Sequence, residues 1–250
     1  MKINKKIIAY ISSIFFLLLI WWIAALQTGS ALILPSPLSV VKTGLHLAVT
    51  LAFWKAFAFT FLRILTSFAI SIVLGFTAGF LFSRSSFLKH FFEPYFYILQ
   101  VTPVVALILV VMFWFKSNTV PVFVALLMTL PVMTNSVYHG FVSVDPKLKE
   151  LAKVYNFSRI KAFFHISLPS AYQSIKLGIK TIFGLTWKVV VAGEVLSLPK
   201  YSIGTMLQNG NIHLETERVM AVTLLLVVLC FVLQKIVEFL LSCKEHKNNL

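Results

Sequence analysis

Glu150 to Pro169 runs Glu-Leu-Ala-Lys-Val-Tyr-Asn-Phe-Ser-Arg-Ile-Lys-Ala-Phe-Phe-His-Ile-Ser-Leu-Pro. It gathers polar and charged residues in a way no other part of the chain does, and long apolar stretches lie on both sides of it. Upstream, Asp145 suits a helix N-cap, and Pro146 suits the first helical position, where a missing N–H costs nothing. Leu148, Leu151, Ala152 and Tyr155 then share one helical face, with Lys147, Lys149, Glu150 and Lys153 on the other sides. Asn156 is suited to end this helix in the left-handed conformation, which Gly adopts best and Asn next best. Ser158 is placed to cap a second short helix carrying Ile160, Phe163 and Phe164. Pro169 biases Leu168 away from helix, which predicts a kink or break there. Residues 145–169 are thus predicted to form two short helices with a sharp turn between them. From this chemistry alone, such a hairpin either lies on lipid headgroups or offers a docking surface to a soluble partner.

The apolar surroundings set the fold class. The chain has 250 residues, of which 59% are hydrophobic and 12% charged, about half the charged fraction of a soluble domain. Its apolar runs are too long for a globular core to hide, so the prediction is an all-α, polytopic membrane protein. Six spans are predicted, near 7–26, 61–82, 91–115, 120–139, 169–192 and 219–241. Residues 38–55 are moderately apolar and suit an interfacial helix. The whole of 1–250 is one membrane domain with no room for a soluble one. The first span is longer than the apolar core of a signal peptide, and Trp21 and Trp22 suit an interface belt, which argues for a retained helix.

The formal charge of +14 comes from basic residues scattered among apolar spans, which points to loop bias and anionic lipid rather than nucleic acid. With the N-terminus inside, the inner segments hold Lys2, Lys5, Lys6, Arg84, Lys89, the five basic residues from Lys147 to Lys161, Lys244 and Lys247. The outer segments hold Lys42, Lys55, Arg63, Lys116, Lys200 and Arg218. This imbalance predicts both termini in the cytoplasm, together with the Glu150–Pro169 loop. Cys230 and Cys243 form no disulfide framework and have no metal-ligand spacing.

The loop's spacing resembles the EAA loop of ABC-importer permeases: Glu-Ala-Ala, three residues, Gly, nine residues, Ile-x-Leu-Pro. Glu150, Ala152, Ile166, Leu168 and Pro169 match it, with Leu151 for the second-position Ala and Asn156 for the Gly. The likeness covers nearly the whole chain and is closest to the branch that includes nitrate, taurine, aliphatic sulfonate and thiamine-precursor importers. Leu34-Pro35-Ser36-Pro37 resembles that branch's extracytoplasmic turn, and Arg63, Gly75, Gly79 and Ser83 resemble its second span. Met112-Phe113-Trp114-Phe115 is similar to its Trp-Phe segment, and Trp187 to Glu194 to its Trp-to-Ala-Glu stretch. Ile203-Gly204 with Met206-Leu207 resembles its Leu-Gly-x-Met-Leu turn. The chain departs from the branch at Tyr201, where Gly is usual, and at Gly193, which intervenes before Glu194. The resemblance implies a type I importer permease in a bacterial inner membrane. It pairs with a second permease copy, a separate ABC ATPase that docks on the 145–169 loop, and an extracytoplasmic solute-binding protein.

The chain has no Gly-x-x-x-x-Gly-Lys-Ser/Thr loop of its own, so ATP belongs on the partner and this chain is expected to be neither an enzyme nor a cofactor binder. A membrane-embedded transferase would need a cluster of His, Asp or Glu, but His139, His165 and His213 are dispersed. A secondary transporter would explain the spans but not the loop. Candidate residues of the translocation pathway are Asn135, Trp187, Lys188 and Glu194. Lys188 lies too deep to snorkel, unlike Lys176 and Lys180, and a charge at that depth needs a partner or water. Lys188 and Glu194 are poorly aligned for a bond within one helix, so a partner on another helix or water is expected. Lys188 then either offers charge to an anionic solute or belongs to a structural ion pair. Asn135 is either an interhelical hydrogen-bond partner or a solute ligand. Gly75 and Gly79 predict a close helix approach, within the subunit or at a dimer seam.

Overall fold

The computed structural model describes residues 5–248. Lys2 lies outside them, as do the side chains of Lys5, Lys6, Lys149, Lys153, Cys243, Lys244 and Lys247. The described residues are helical and contain no strand. In chain order the helices are α1 (Lys5–Thr28), α2 (Pro37–Ala48), α3 (Leu51–Arg84), α4 (Ser86–Val101), α5 (Val104–Val111), α6 (Val120–Val142), α7 (Pro146–Val154), α8 (Arg159–Ala162), α9 (Leu168–Ser197), α10 (Ile203–Ile212) and α11 (Thr216–Asn248). A π-helical turn, Phe163–Ser167, joins α8 to α9.

Four helices, α1, α3, α6 and α11, are long and apolar enough to cross a membrane, and the bent pair α4–α5 makes a fifth candidate. The expected fifth span, α9, has 30 residues, about 45 Å of helix, but Lys176, Lys180, Lys188 and Glu194 make it less apolar than those. The expected third span is broken, with α4 and α5 meeting at 103°. Pro103 has no N–H to donate and holds Thr102 extended, at ψ 126°, which ends α4. The expected second span begins ten residues early, at Leu51, because Thr50 caps it and nothing between Leu51 and Phe61 breaks a helix. Lys55 and Arg63 are therefore helical, and Arg63 is buried rather than part of an outer loop. The expected interfacial helix stops at Ala48, where α2 packs Val40 and Leu47 against Ala221 and Val222 of α11.

At the centre, α6 lies between α3 and α9. The seams on both sides are lined with small residues, as in membrane bundles, where close backbone packing replaces the hydrophobic effect. A Cβ at Gly79 would lie 2.5 Å from the Thr134 carbonyl oxygen and 2.7 Å from the Val137 Cβ. On the other side, Gly193 packs on Pro121 and Gly140 on Ala171, which sets an antiparallel register. The Gly75–Gly79 pair thus serves packing within the subunit. The Ser71 and Thr129 hydroxyls, both buried, bond at 2.6 Å across the α3–α6 seam.

Candidate functional site

The hairpin at one end follows its local chemistry closely. An Asp145 carboxylate oxygen accepts from the Lys147 amide at 2.8 Å, and Pro146 opens α7. Asn156 stands at φ 51°. The Phe157 amide reaches back to the Ala152 carbonyl at 2.9 Å, closing the turn as a left-handed C-cap does. Ser158 caps α8, its hydroxyl accepting from the Lys161 amide at 3.3 Å. The expected break at Leu168 is absent, and Leu168 has helical dihedrals. The π turn resolves the conflict: the Leu168 amide bonds the Phe163 carbonyl five residues back, and the wider turn takes in Pro169, so the predicted irregularity is a π turn and not an end of the helix.

The hairpin is clamped to the body by stacked rings. Phe163 lies 5.8 Å from Phe141 and 5.4 Å from Phe80. Ala152 is buried over a cavity of about 550 Å³ that Arg84, Phe141 and Phe163 also line. Ile166 and Leu168 are half-buried, while Glu150, Asn156 and Pro169 are exposed. Leu148, Leu151, Tyr155, Ile160 and Phe164 also stay exposed, so the hairpin presents an apolar surface that the described residues do not cover.

At the other end, Glu194 is fully buried and its carboxylate is saturated. One oxygen accepts from the Arg63 guanidinium at 2.8 Å. The other accepts from the Thr60 hydroxyl at 2.9 Å and the Gly204 amide at 3.1 Å. Thr60 in turn accepts from the Ile203 amide at 3.0 Å, and Arg63 also donates to the Tyr201 carbonyl and to Asn118. The stretch expected as a turn, Ile203 to Leu207, is the start of α10, and its first free N–H groups are the ones these two side chains satisfy. Gly204 makes this possible: a Cβ there would lie 2.3 Å from the Glu194 Cβ. Glu194 does take a partner on another helix, and that partner is Arg63.

The remaining pathway candidates separate. Trp187 is buried and stacks on Phe57 at 6.2 Å and Phe61 at 6.3 Å. Lys188, the next residue, is exposed, while Val189 and Val190 are buried. Asn135 is exposed on α6. Lys176 is buried rather than snorkelling, because its face of α9, shared with Ile175 and Phe183, is the one that packs inward. Among the described residues no three His, Cys, Asp or Glu side chains come together to hold a metal ion.

Residues 71–242 match the family described as binding-protein-dependent transport system inner membrane component. The chain belongs to this family. It is 30% identical over 208 residues to the putative aliphatic sulfonates transport permease protein SsuC of Escherichia coli K12, covering 82% of this chain and 78% of the relative. The taurine transport system permease protein TauC of the same organism is 24% identical over 239 residues, covering 93% and 86%. The formylaminopyrimidine transport permease protein ThiX of Halalkalibacterium halodurans is 29% identical over 187 residues, covering 74% of each chain. A crystal structure of an amino acid ABC transporter with histidines superposes with a TM-score of 0.61 at 16% identity, over 78% of this chain and 93% of that one, and so shares the fold. This permease is a multi-pass membrane component and not an enzyme; ATP hydrolysis belongs to a separate ATPase subunit.

In the permease the Arg63–Glu194 tie was the part hardest to anticipate. The signal available was Thr60 and Arg63, two polar residues three apart in an otherwise apolar run, which one helix face brings together. The hairpin turn makes a sharper prediction. Asn156→Gly is expected to transport close to wild type and Asn156→Val well below it, since a β-branched residue at φ 51° is strained. Uptake into proteoliposomes measures both, and equal activity would mean that the left-handed turn does not matter.

Proposed function

We propose that this chain, a single membrane domain over 1–250, forms the translocation pathway of a bacterial ABC importer as one of two identical permease copies. A separate ABC ATPase docks on the 145–169 hairpin, through Glu150, Leu151 and Asn156 together with the exposed apolar side chains around them. An extracytoplasmic binding protein delivers the solute, a small organic anion of the kind named for the aliphatic sulfonate relative. The observation that carries this reading is the hairpin: held to the body by the packed rings of Phe80, Phe141 and Phe163, yet exposing Leu148, Leu151, Tyr155 and Ile160, which the described residues leave uncovered. A loop meant only to rest on headgroups would need no such clamp. The α9 helix supplies the fifth of the six crossings, held in the bundle by α6. Both termini lie inside, and burying Arg63 removes one basic residue from the outer count and strengthens that orientation.

The test is Glu150→Lys, which leaves the basic helix α7 without its carboxylate. Transport by the reconstituted complex is expected to fall to background while expression stays near normal and ATPase co-purification drops. Normal transport with intact co-purification would remove the docking assignment.

Lys188 is proposed to face the water-filled pathway, where an ammonium avoids the cost of hydrocarbon. Single cysteines at 187 to 191, in a background lacking Cys230 and Cys243, are expected to label with an impermeant thiol reagent at 188 and to change with trapped nucleotide. Labelling at a buried valine position in place of 188 would show the helix rotated.

A further inference from the structure

A second polar cluster lies beside the Glu194 tie, on its outward side. A pocket of about 420 Å³ is lined by Phe59, Leu62, Arg63, Asn118, Lys200 and Tyr201. The Lys55 ammonium stands 4.0 Å from the centroid of the Tyr201 ring and the Lys200 ammonium 5.5 Å from it, so both cations gather at the pocket's edge. Phe59 packs on the same ring at 5.5 Å.

The charged groups at the pocket are cationic. Arg63 uses one terminal nitrogen on Glu194 and the Tyr201 carbonyl, and the other on Asn118. Asn118 accepts through its amide oxygen, which leaves its N–H₂ to offer. The nearby carboxylate, Glu194, is fully buried behind Arg63 with both oxygens engaged. It balances Arg63 alone, so the two lysines leave the cluster positive. The rest of the lining, Phe59 and Leu62, is apolar and exposed along α3. The pocket therefore combines a cationic rim with an apolar wall.

We propose that this pocket binds an amphiphilic oxyanion, with a sulfonate or phosphate head between Lys55, Lys200 and Asn118 and an apolar tail along Phe59 and Leu62. A tetrahedral oxyanion can accept from the two ammoniums beside the Tyr201 ring and from the Asn118 N–H₂, and a ligand of bare charge would leave the apolar wall unused. Such an anion comes either from a soluble organosulfonate at the outer face or from a phospholipid headgroup of the outer leaflet.

The full chain in uncharged detergent decides between them, with no ATPase and no transport measurement, so that failure here leaves the permease reading untouched. Two probes are used: radiolabelled heptanesulfonate in equilibrium dialysis, and phosphatidylglycerol retained by the protein, quantified by mass spectrometry. Wild type is expected to bind one probe saturably. Lys55→Gln/Lys200→Gln is expected to lose at least tenfold in affinity, and Lys55→Arg/Lys200→Arg to keep most of it. Lys200→Gln alone, at an exposed side chain, reads the same effect should the double variant not fold. Heptanesulfonate binding that phosphatidylglycerol does not displace identifies a soluble source. Retained lipid that heptanesulfonate does not displace identifies the membrane, and mutual displacement supports the shared chemistry. If neither probe binds saturably, or if the glutamine variants bind as wild type does, the site is overturned.

Discussion

Glu194→Ala is expected to destabilise the subunit by about 3–5 kcal/mol, the cost of stranding a buried charge. The Arg63 guanidinium, nearly buried, would lose its counter-charge at 2.8 Å. The Thr60 hydroxyl and the Gly204 amide would lose their acceptor in the same step. The start of α10 would lose its tie to α9, which adds about 1 kcal/mol of the kind a helix cap contributes. Two further variants separate the charge from the shape. Glu194→Gln keeps an oxygen for the Gly204 amide and is expected to fall between wild type and the alanine variant. Arg63→Leu/Glu194→Leu removes both charges and is expected to recover part of the loss, because an apolar pair of similar volume often replaces a buried ion pair without penalty. The midpoint of heat-induced aggregation in detergent ranks the set. An alanine variant as stable as wild type would show that the pair contributes nothing.

What the sequence makes legible is chemistry that acts over a few residues. Asp145, Pro146, Asn156 and Ser158 each decide their own turn, and each stands where its cap chemistry places it. The small residues Gly75 and Gly79 likewise announce a close approach, because a face without side chains suits little else in a membrane bundle. The illegible features depend on what lies across the fold. Arg63 and Glu194 are separated by 131 positions, and no local pattern links them, so Arg63 counts as an outer loop charge until α3 is seen to pack beside α9. Lys176 looks free to snorkel until its helix face is known to turn inward. At Leu168 a local rule fails: Pro169 disfavours a regular α-turn, yet the chain answers with a π turn instead of a break. The third span, expected as continuous, breaks at Pro103, where α4 and α5 meet at 103° and α5 packs on α6.

Gly79→Val is expected to have the other large effect, because it acts on the seam that holds α3 to the central helix. A Cβ at Gly79 would lie 2.5 Å from the Thr134 carbonyl oxygen and 3.0 Å from the Tyr138 amide nitrogen. These are backbone atoms, so no rotamer change relieves the clash, and α3 and α6 must move apart. Their separation also strains the buried Ser71–Thr129 bond, which spans the same seam at 2.6 Å. Overpacking of this kind costs about 1–3 kcal/mol where side chains can yield and more where they cannot, so the upper end or beyond is expected here. Gly184 provides the control. A Cβ there meets nothing within 4 Å, so Gly184→Ala is expected to leave stability unchanged or raise it by up to about 1 kcal/mol through helix propensity. The same aggregation midpoint compares Gly79→Ala, Gly79→Val and Gly184→Ala. The expected order is Gly184→Ala at or above wild type, Gly79→Ala below it, and Gly79→Val lowest. Gly79 variants indistinguishable from the Gly184 control would mean that α3 and α6 do not approach as closely as the seam requires.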